Sequence, residues 1–124
     1  HGTTFGGNPL AMRAALTTLA VIEEDGLRAN AVKQGDAIRA GLAQALSEEV
    51  AAGKVKEFRG KGLMIGIALD RACGELVTRA LDAGLLINVT HDTVVRLLPS
   101  LIINDEEVAE LVARLAVLIK GFLA

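Results

Sequence analysis

Apolar positions recur in different rhythms along this chain, and the rhythms predict its elements. Residues 9 to about 24 are rich in Ala and Leu, and Leu10, Met12, Leu16, Leu19, Val21 and Ile22 leave little polar face. A helix that is apolar nearly all round is normally buried on several sides, so this one is expected to lean on residues outside the chain or on a partner. Gly26 is placed to end it as the residue after the cap. From Leu27 to about Glu49, Leu27, Ala31, Gly35, Ile38, Leu42, Ala45 and Leu46 step by three and four, which predicts an amphipathic helix. Lys33, Asp36, Arg39, Gln44 and Glu48 fall mostly off that stripe, and residues 50–53 read as a linker.

The rhythm then changes. Residues 55–62 read as a short extended piece ending in a double-glycine turn, and 63–69 form a continuous apolar run of strand length. Gly66 inside that run marks a bulge or a close backbone approach. A third helix is expected over 71–83, with Cys73, Leu76, Val77, Ala80 and Leu81 on one face and Gly84 as its stop. Residues 85–89 and 94–98 flank the polar turn Thr90-His91-Asp92-Thr93, a hairpin signal closed by Pro99. The last helix opens at Asn104 with Glu107 three residues on, a capping-box arrangement, and Val108, Leu111, Val112, Leu115, Leu118, Ile119 and Phe122 give it one apolar stripe. Two helices, a strand, a helix, a hairpin and a helix describe an α+β layer, a small, mostly antiparallel sheet covered by helices on one face.

Composition narrows the partners. At 124 residues the chain is one domain's worth, and 52% hydrophobic with 2% aromatic residues means an aliphatic core. A net charge of −2 with both signs interspersed argues against nucleic acid or an anionic lipid surface as partner. The single cysteine, Cys73, excludes an internal disulfide and reads as a small core hydrophobe. His1 and His91 are the only histidines and no carboxylates cluster with them, so no metal site is expected. No apolar run reaches the ~18 residues of a spanning helix and no signal-peptide pattern is present, which reads as a soluble, cytoplasmic protein. The chain starts at His1 with its most informative loop at the edge, so a fragment of a longer polypeptide is expected.

That loop, His1-Gly2-Thr3-Thr4-Phe5-Gly6-Gly7-Asn8, opens onto a helix through a good N-cap, Asn8, and a proline suited to the first turn, Pro9. On the residues alone it is either a tight glycine turn before a capped helix or a cradle of hydroxyls and bare amides for an anion such as phosphate. Arg96 is the second candidate. It interrupts Val94-Val95-Leu97-Leu98, and in a strand it shares a face with residues 94 and 98, so the cation would stand among aliphatics. It is either an edge arginine that snorkels to water or a fixed fork that receives a carboxylate through two parallel hydrogen bonds. Arg59 is read either as a second anion site or, preferred, as a structural arginine that ties the turn to neighbouring carbonyls or carboxylates.

The run His1-Gly-Thr-Thr-Phe-Gly-Gly-Asn-Pro-Leu-Ala11 resembles a signature of class III pyridoxal-phosphate-dependent aminotransferases. Val94-Val-Arg-Leu-Leu-Pro-Ser-Leu101 resembles the segment of that family whose arginine binds the substrate α-carboxylate. Arg59-Gly-Lys-Gly-Leu-Met64 matches a third segment, and Gly84-Leu-Leu-Ile-Asn-Val-Thr90 is most similar to the acetylornithine branch. The resemblance covers essentially the whole chain, as the C-terminal part of a fold type I enzyme. It implies residues 1–26 as the end of the large cofactor domain with a connecting helix, and 27–124 as the small domain. It implies Thr4 as a hydroxyl donor to the phosphate of pyridoxal 5'-phosphate across a homodimer interface, Thr3 beside the substrate, and Arg96 on the substrate carboxylate. Phe5 stands where the family more often has tyrosine, which removes a hydroxyl.

The activity implied is transfer of the terminal amine of an acylated ornithine to 2-oxoglutarate. Ornithine, succinylornithine or another ω-amine are the near alternatives, and a non-catalytic module that binds a small acid or forms a subunit interface is the distant one. No catalytic residue is assigned within the chain. Lys33, Lys54, Lys56, Lys61 and Lys120 all lack the context of the family's Schiff-base lysine, so the piece alone is expected to be inert.

Overall fold

The computed structural model describes residues 2–124, and His1, expected only to extend the loop's backbone, lies outside them. Nine elements follow one another: α1 (Pro9–Glu24), α2 (Leu27–Ala45), α3 (Ser47–Ala51), β1 (Val55–Lys61), β2 (Met64–Leu69), α4 (Leu76–Asp82), β3 (Asn88–Thr90), β4 (Val94–Leu97) and α5 (Asp105–Leu123). The strands form one sheet in the order β1-β2-β4-β3, every neighbouring pair antiparallel. Ile65, Ile67, Val95 and Leu97 project from one face of it and are buried against Ile38 and Leu42 of α2, Leu76 of α4 and Leu115 and Ile119 of α5. Helices cover that face alone, the α+β layer expected.

Local signals placed several boundaries. Asn8 accepts from the Ala11 amide at 3.0 Å with Pro9 in the first turn, and Gly26 takes a left-handed conformation (φ 63°) to end α1. Asn104 and Glu107 form a complete capping box, with bonds of 2.9 and 3.0 Å, and three acidic residues occupy the first turn of α5. Removing the Asn104 side chain leaves the Glu107 amide without its acceptor, so Asn104→Ala is expected to lower stability by about 1 kcal/mol. Urea denaturation of the variant beside the parent checks this, and an unchanged midpoint would mean that water replaces the cap at no cost.

Other boundaries depart from the pattern. The long second helix breaks at Leu46, and Val50 and Ala51 belong to α3 rather than to a linker. The break turns Leu46 fully into the core. The third helix begins at Leu76 instead of Arg71, because the Cys73 amide donates to the Asp92 carbonyl at 2.8 Å and holds the segment before it against the β3–β4 loop. Cys73 is therefore buried from a loop, and burial, with Asp92 nearby, pushes its thiol above the ordinary value. The first hairpin strand shortens to Asn88–Thr90, since Leu85 donates to the Ala80 carbonyl and completes the end of α4. The bulge lies in β1 between Val55 and Glu57, whereas Gly66 pairs in regular register.

α1 carries no buried residue, and Leu10, Leu16 and Leu19 are each at least 60% exposed. Among the described residues little covers its apolar sides, only Ile22 being partly buried, in line with its composition. No described helix is long and apolar enough to cross a membrane.

Candidate functional site

The uncovered face of the sheet holds the candidate site around Arg96. Gly66 on β2 stands opposite Arg59 on β1 and Arg96 on β4, and Arg96 stands opposite Asn88 on β3. Side chains alternate across a strand, so with Ile65, Ile67, Val95 and Leu97 committed to the core this row points the other way. It borders a cavity of about 270 Å³ whose walls include Arg59, Lys61, Met64, Gly66, Thr90 and Arg96. Three of those walls are cations and none is an acid. Arg96 makes no side-chain hydrogen bond or ion pair among the described residues, whereas Arg59 donates to Glu57 at 3.2 Å.

The sheet adds cross-strand neighbours to the aliphatic surroundings expected for Arg96. Along its own strand the neighbours on its face are Val94, which is buried, and Leu98, which is exposed. Across the sheet, though, the neighbours are a glycine and an asparagine, and the hollow that Arg96 borders has the cations Arg59 and Lys61 among its walls as well as the apolar Met64, Ile65 and Val94. Cross-strand partners at about 5 Å decide a strand residue's surroundings as much as its own i±2 positions do. Such a cation, unpaired and on a rigid strand, has its full fork of donors available for a carboxylate.

Thr3 and Thr4 are exposed in the loop before α1, and their hydroxyls make no hydrogen bond among the described residues. Neither is a wall of the Arg96 cavity. The loop is held from within. Asn8 donates to the Phe5 carbonyl at 2.6 Å while capping α1, and a side chain at position 6 would overlap that of Thr3. His91 lies in the exposed β3–β4 loop, and no cluster of three or more His, Cys, Asp or Glu capable of holding a metal occurs among the described residues.

A larger hollow lies between α2 and the start of α5, but its polar groups already satisfy one another. The buried Gln34 donates to Asp105 at 2.6 Å, and Lys33 reaches the same carboxylate at 2.7 Å. The Lys33 bond and then the Gln34 bond hold the Asp105 carboxyl below the usual carboxylate range. Asn30 donates to the Leu101 and Ile103 carbonyls, so this network fixes the connector that follows β4. Its place is structural.

Sequence reasoning singled out Arg96 and Arg59 but not Lys61 or Gly66 as walls of one hollow. A signal for Lys61 was present, since residues 59 and 61 share a face of any extended segment. None was present for Gly66, whose place follows from the strand order.

Comparison with known proteins places the chain in a family. The family model described as aminotransferase class-III matches residues 1–119. The chain is 56% identical over its whole length to acetylornithine aminotransferase 1 of Bordetella pertussis, of which it covers 31%. It is 47% identical over 99% of its length to the acetylornithine aminotransferase of Nitrosomonas europaea, covering 30% of that protein. Among solved structures, ornithine aminotransferase from Toxoplasma gondii superposes with a TM-score of 0.87 at 32% identity, over 98% of this chain and 29% of that one. The chain thus spans less than a third of the length of these relatives, with the fold of the corresponding part of a fold type I enzyme. By sequence and by fold it belongs to the class III aminotransferase family.

Proposed function

We propose that the chain is the C-terminal part of an aminotransferase that moves the terminal amine of N-acetylornithine to 2-oxoglutarate, with Arg96 receiving the substrate carboxylate. The observation that carries this is the unpaired Arg96 guanidinium over a hollow with basic and no acidic walls. The most similar relatives named above both carry the acetylornithine name, which supports that donor over ornithine. Residues 1–26 then close the large domain, and 27–124 form the small one. The bare apolar sides of α1 fit a helix that other parts of the polypeptide, or a second subunit of a homodimer, cover.

The loop before α1 fits a phosphate. Its two threonine hydroxyls are unengaged, and Gly6 leaves room that a side chain would fill against Thr3. In this reading Thr4 donates to the phosphate of pyridoxal 5'-phosphate and Thr3 lies beside the substrate. When bound, that cofactor supplies the carbonyl and the electron sink for amine exchange. The chain's own share is orientation. Arg96 fixes the carboxylate, which sets the distance of the amine at the substrate's other end. None of its lysines has the family's Schiff-base context, so the 124 residues alone do not catalyse the exchange.

The test is amine transfer by the intact polypeptide supplied with pyridoxal phosphate. N-acetylornithine is expected to turn over more efficiently than ornithine, and the reverse order would move the assignment to another ω-amine. For the loop, Thr4→Val is expected to weaken cofactor binding by about tenfold, the loss of one hydrogen bond to a charged acceptor, while Thr4→Ser retains most of it. Titration of the apoprotein with pyridoxal phosphate, followed by absorbance, measures both. Equal affinity in Thr4→Val and the parent would remove Thr4 from the phosphate site.

A further inference from the structure

Arg59 and Gly66 are unassigned by anything above, and the register makes them a pair. Gly66 lies in the middle of a regular strand, where a glycine packs nothing and weakens the sheet, so its position calls for a reason. A side-chain carbon on residue 66 would stand 3.4 Å from Cγ and 3.5 Å from Nε of Arg59, and 3.2 Å from Cγ1 of Val94. The stem of Arg59 therefore passes beside the Gly66 position on the open face of the sheet, and Arg96 on β4 stands opposite the same glycine. Adjacent strands are about 4.8 Å apart, so the two arginine backbones are separated by roughly 10 Å, a gap that two side chains of this length close above the residue between them.

Resting on the carboxylate reading of Arg96, we propose that Arg59 is a second cation of the same site and that Gly66 is its specificity-determining floor. The missing side chain leaves the ground between two guanidiniums open to one carboxylate. Glu57 takes a single guanidinium nitrogen of Arg59, at 3.2 Å. That contact holds the arginine on the β1 side and leaves its other N–H donors for an anion. Lys61, two residues along on the same face of β1, adds a third positive charge to the wall. Arg59 is thus a binding residue, one that raises affinity for acid-bearing substrates and selects them over amines that lack the acid.

The intact enzyme can be assayed with N-acetylornithine and with N-acetylputrescine, the same amine without the carboxylate. Arg59→Gln is expected to raise KM for N-acetylornithine by about tenfold, well beyond any fall in kcat, and to cut its preference over N-acetylputrescine by a similar factor. Arg59→Lys keeps the charge but not the fork, so its KM should fall between the two. Gly66→Ala should lower the same preference, because its methyl group fills the floor between the two arginines, tight against Val94 at 3.2 Å and in contact with the Arg59 stem. A change below twofold in the preference for Arg59→Gln, or equal losses on both amines, would overturn the proposal. Arg96→Ala separates the two levels. If it leaves KM for N-acetylornithine unaltered, the carboxylate reading itself falls, whereas a strong response there with none at Arg59 removes only the second cation.

Discussion

In the intact polypeptide, Arg96→Ala is expected to lower kcat/KM for N-acetylornithine by at least about 100-fold, most of it through KM. The magnitude follows from what the side chain can offer. A bidentate guanidinium–carboxylate pair contributes two charge-assisted hydrogen bonds, each of about 1.5–3 kcal/mol, and each 1.4 kcal/mol is a factor of ten. Because Arg96 has no competing partner among the described residues, binding a carboxylate breaks no protein contact and the full difference is felt. Arg96→Lys should recover only part of the loss, since an ammonium cannot reproduce the planar fork. The effect should far exceed that of Thr4→Ser, which keeps its hydroxyl. Steady-state kinetics on the three variants decide the matter, and parental kinetics in Arg96→Ala would reject the role.

How much of this site could be read from the chain depended on how far away its determinants lie. Asn8 with Pro9, and Asn104 with Glu107, are separated by a few residues, and the helix starts they mark are where the pattern put them. The start of α4 is set by a bond from Cys73 to Asp92, between residues that no local periodicity connects. The apolar run 85–87 has strand composition, but Leu85 is taken by the end of α4 and β4 offers pairing partners only to residues 88–90. Arg59 shows the same limit at the site. Its contact with Glu57 is local and matches the structural tie preferred from sequence. Its place across Gly66 from Arg96 is a property of the order β1-β2-β4, which joins positions 37 residues apart. For Thr3 and Thr4 the residues alone offered an anion cradle or a plain glycine turn, their separate roles came from resemblance, and their hydroxyls have no hydrogen-bond partner among the described residues.

Gly35→Ala is expected to destabilise the fold by about 2 kcal/mol or more, against the direction that helix propensity alone predicts. Alanine is favoured over glycine inside a helix by up to about 1 kcal/mol, and position 35 lies mid-way along α2. The added carbon, however, would overlap the carbonyl of Gly62 in the β1–β2 turn. Gly62 has a left-handed backbone (φ 55°), and even a carbon built on it would stand 3.6 Å from the Ala31 carbonyl one helical turn away, so the turn is backbone lying against the helix and cannot swing aside as a side chain would. Two other helical glycines supply the contrast. At Gly41 the new methyl group would meet only the Val112 side chain, at 3.1 and 3.2 Å, which can yield by a few tenths of an ångström. At Gly121 in α5 it would meet nothing, so Gly121→Ala should stabilise by up to about 1 kcal/mol. Urea midpoints of the three variants of the intact protein should therefore fall in the order Gly121→Ala, Gly41→Ala, Gly35→Ala. A midpoint for Gly35→Ala at or above the parent's would mean that α2 does not rest on the turn. In that case the helix could not hold in place the β1–β2 hairpin that sets Arg59 beside Gly66.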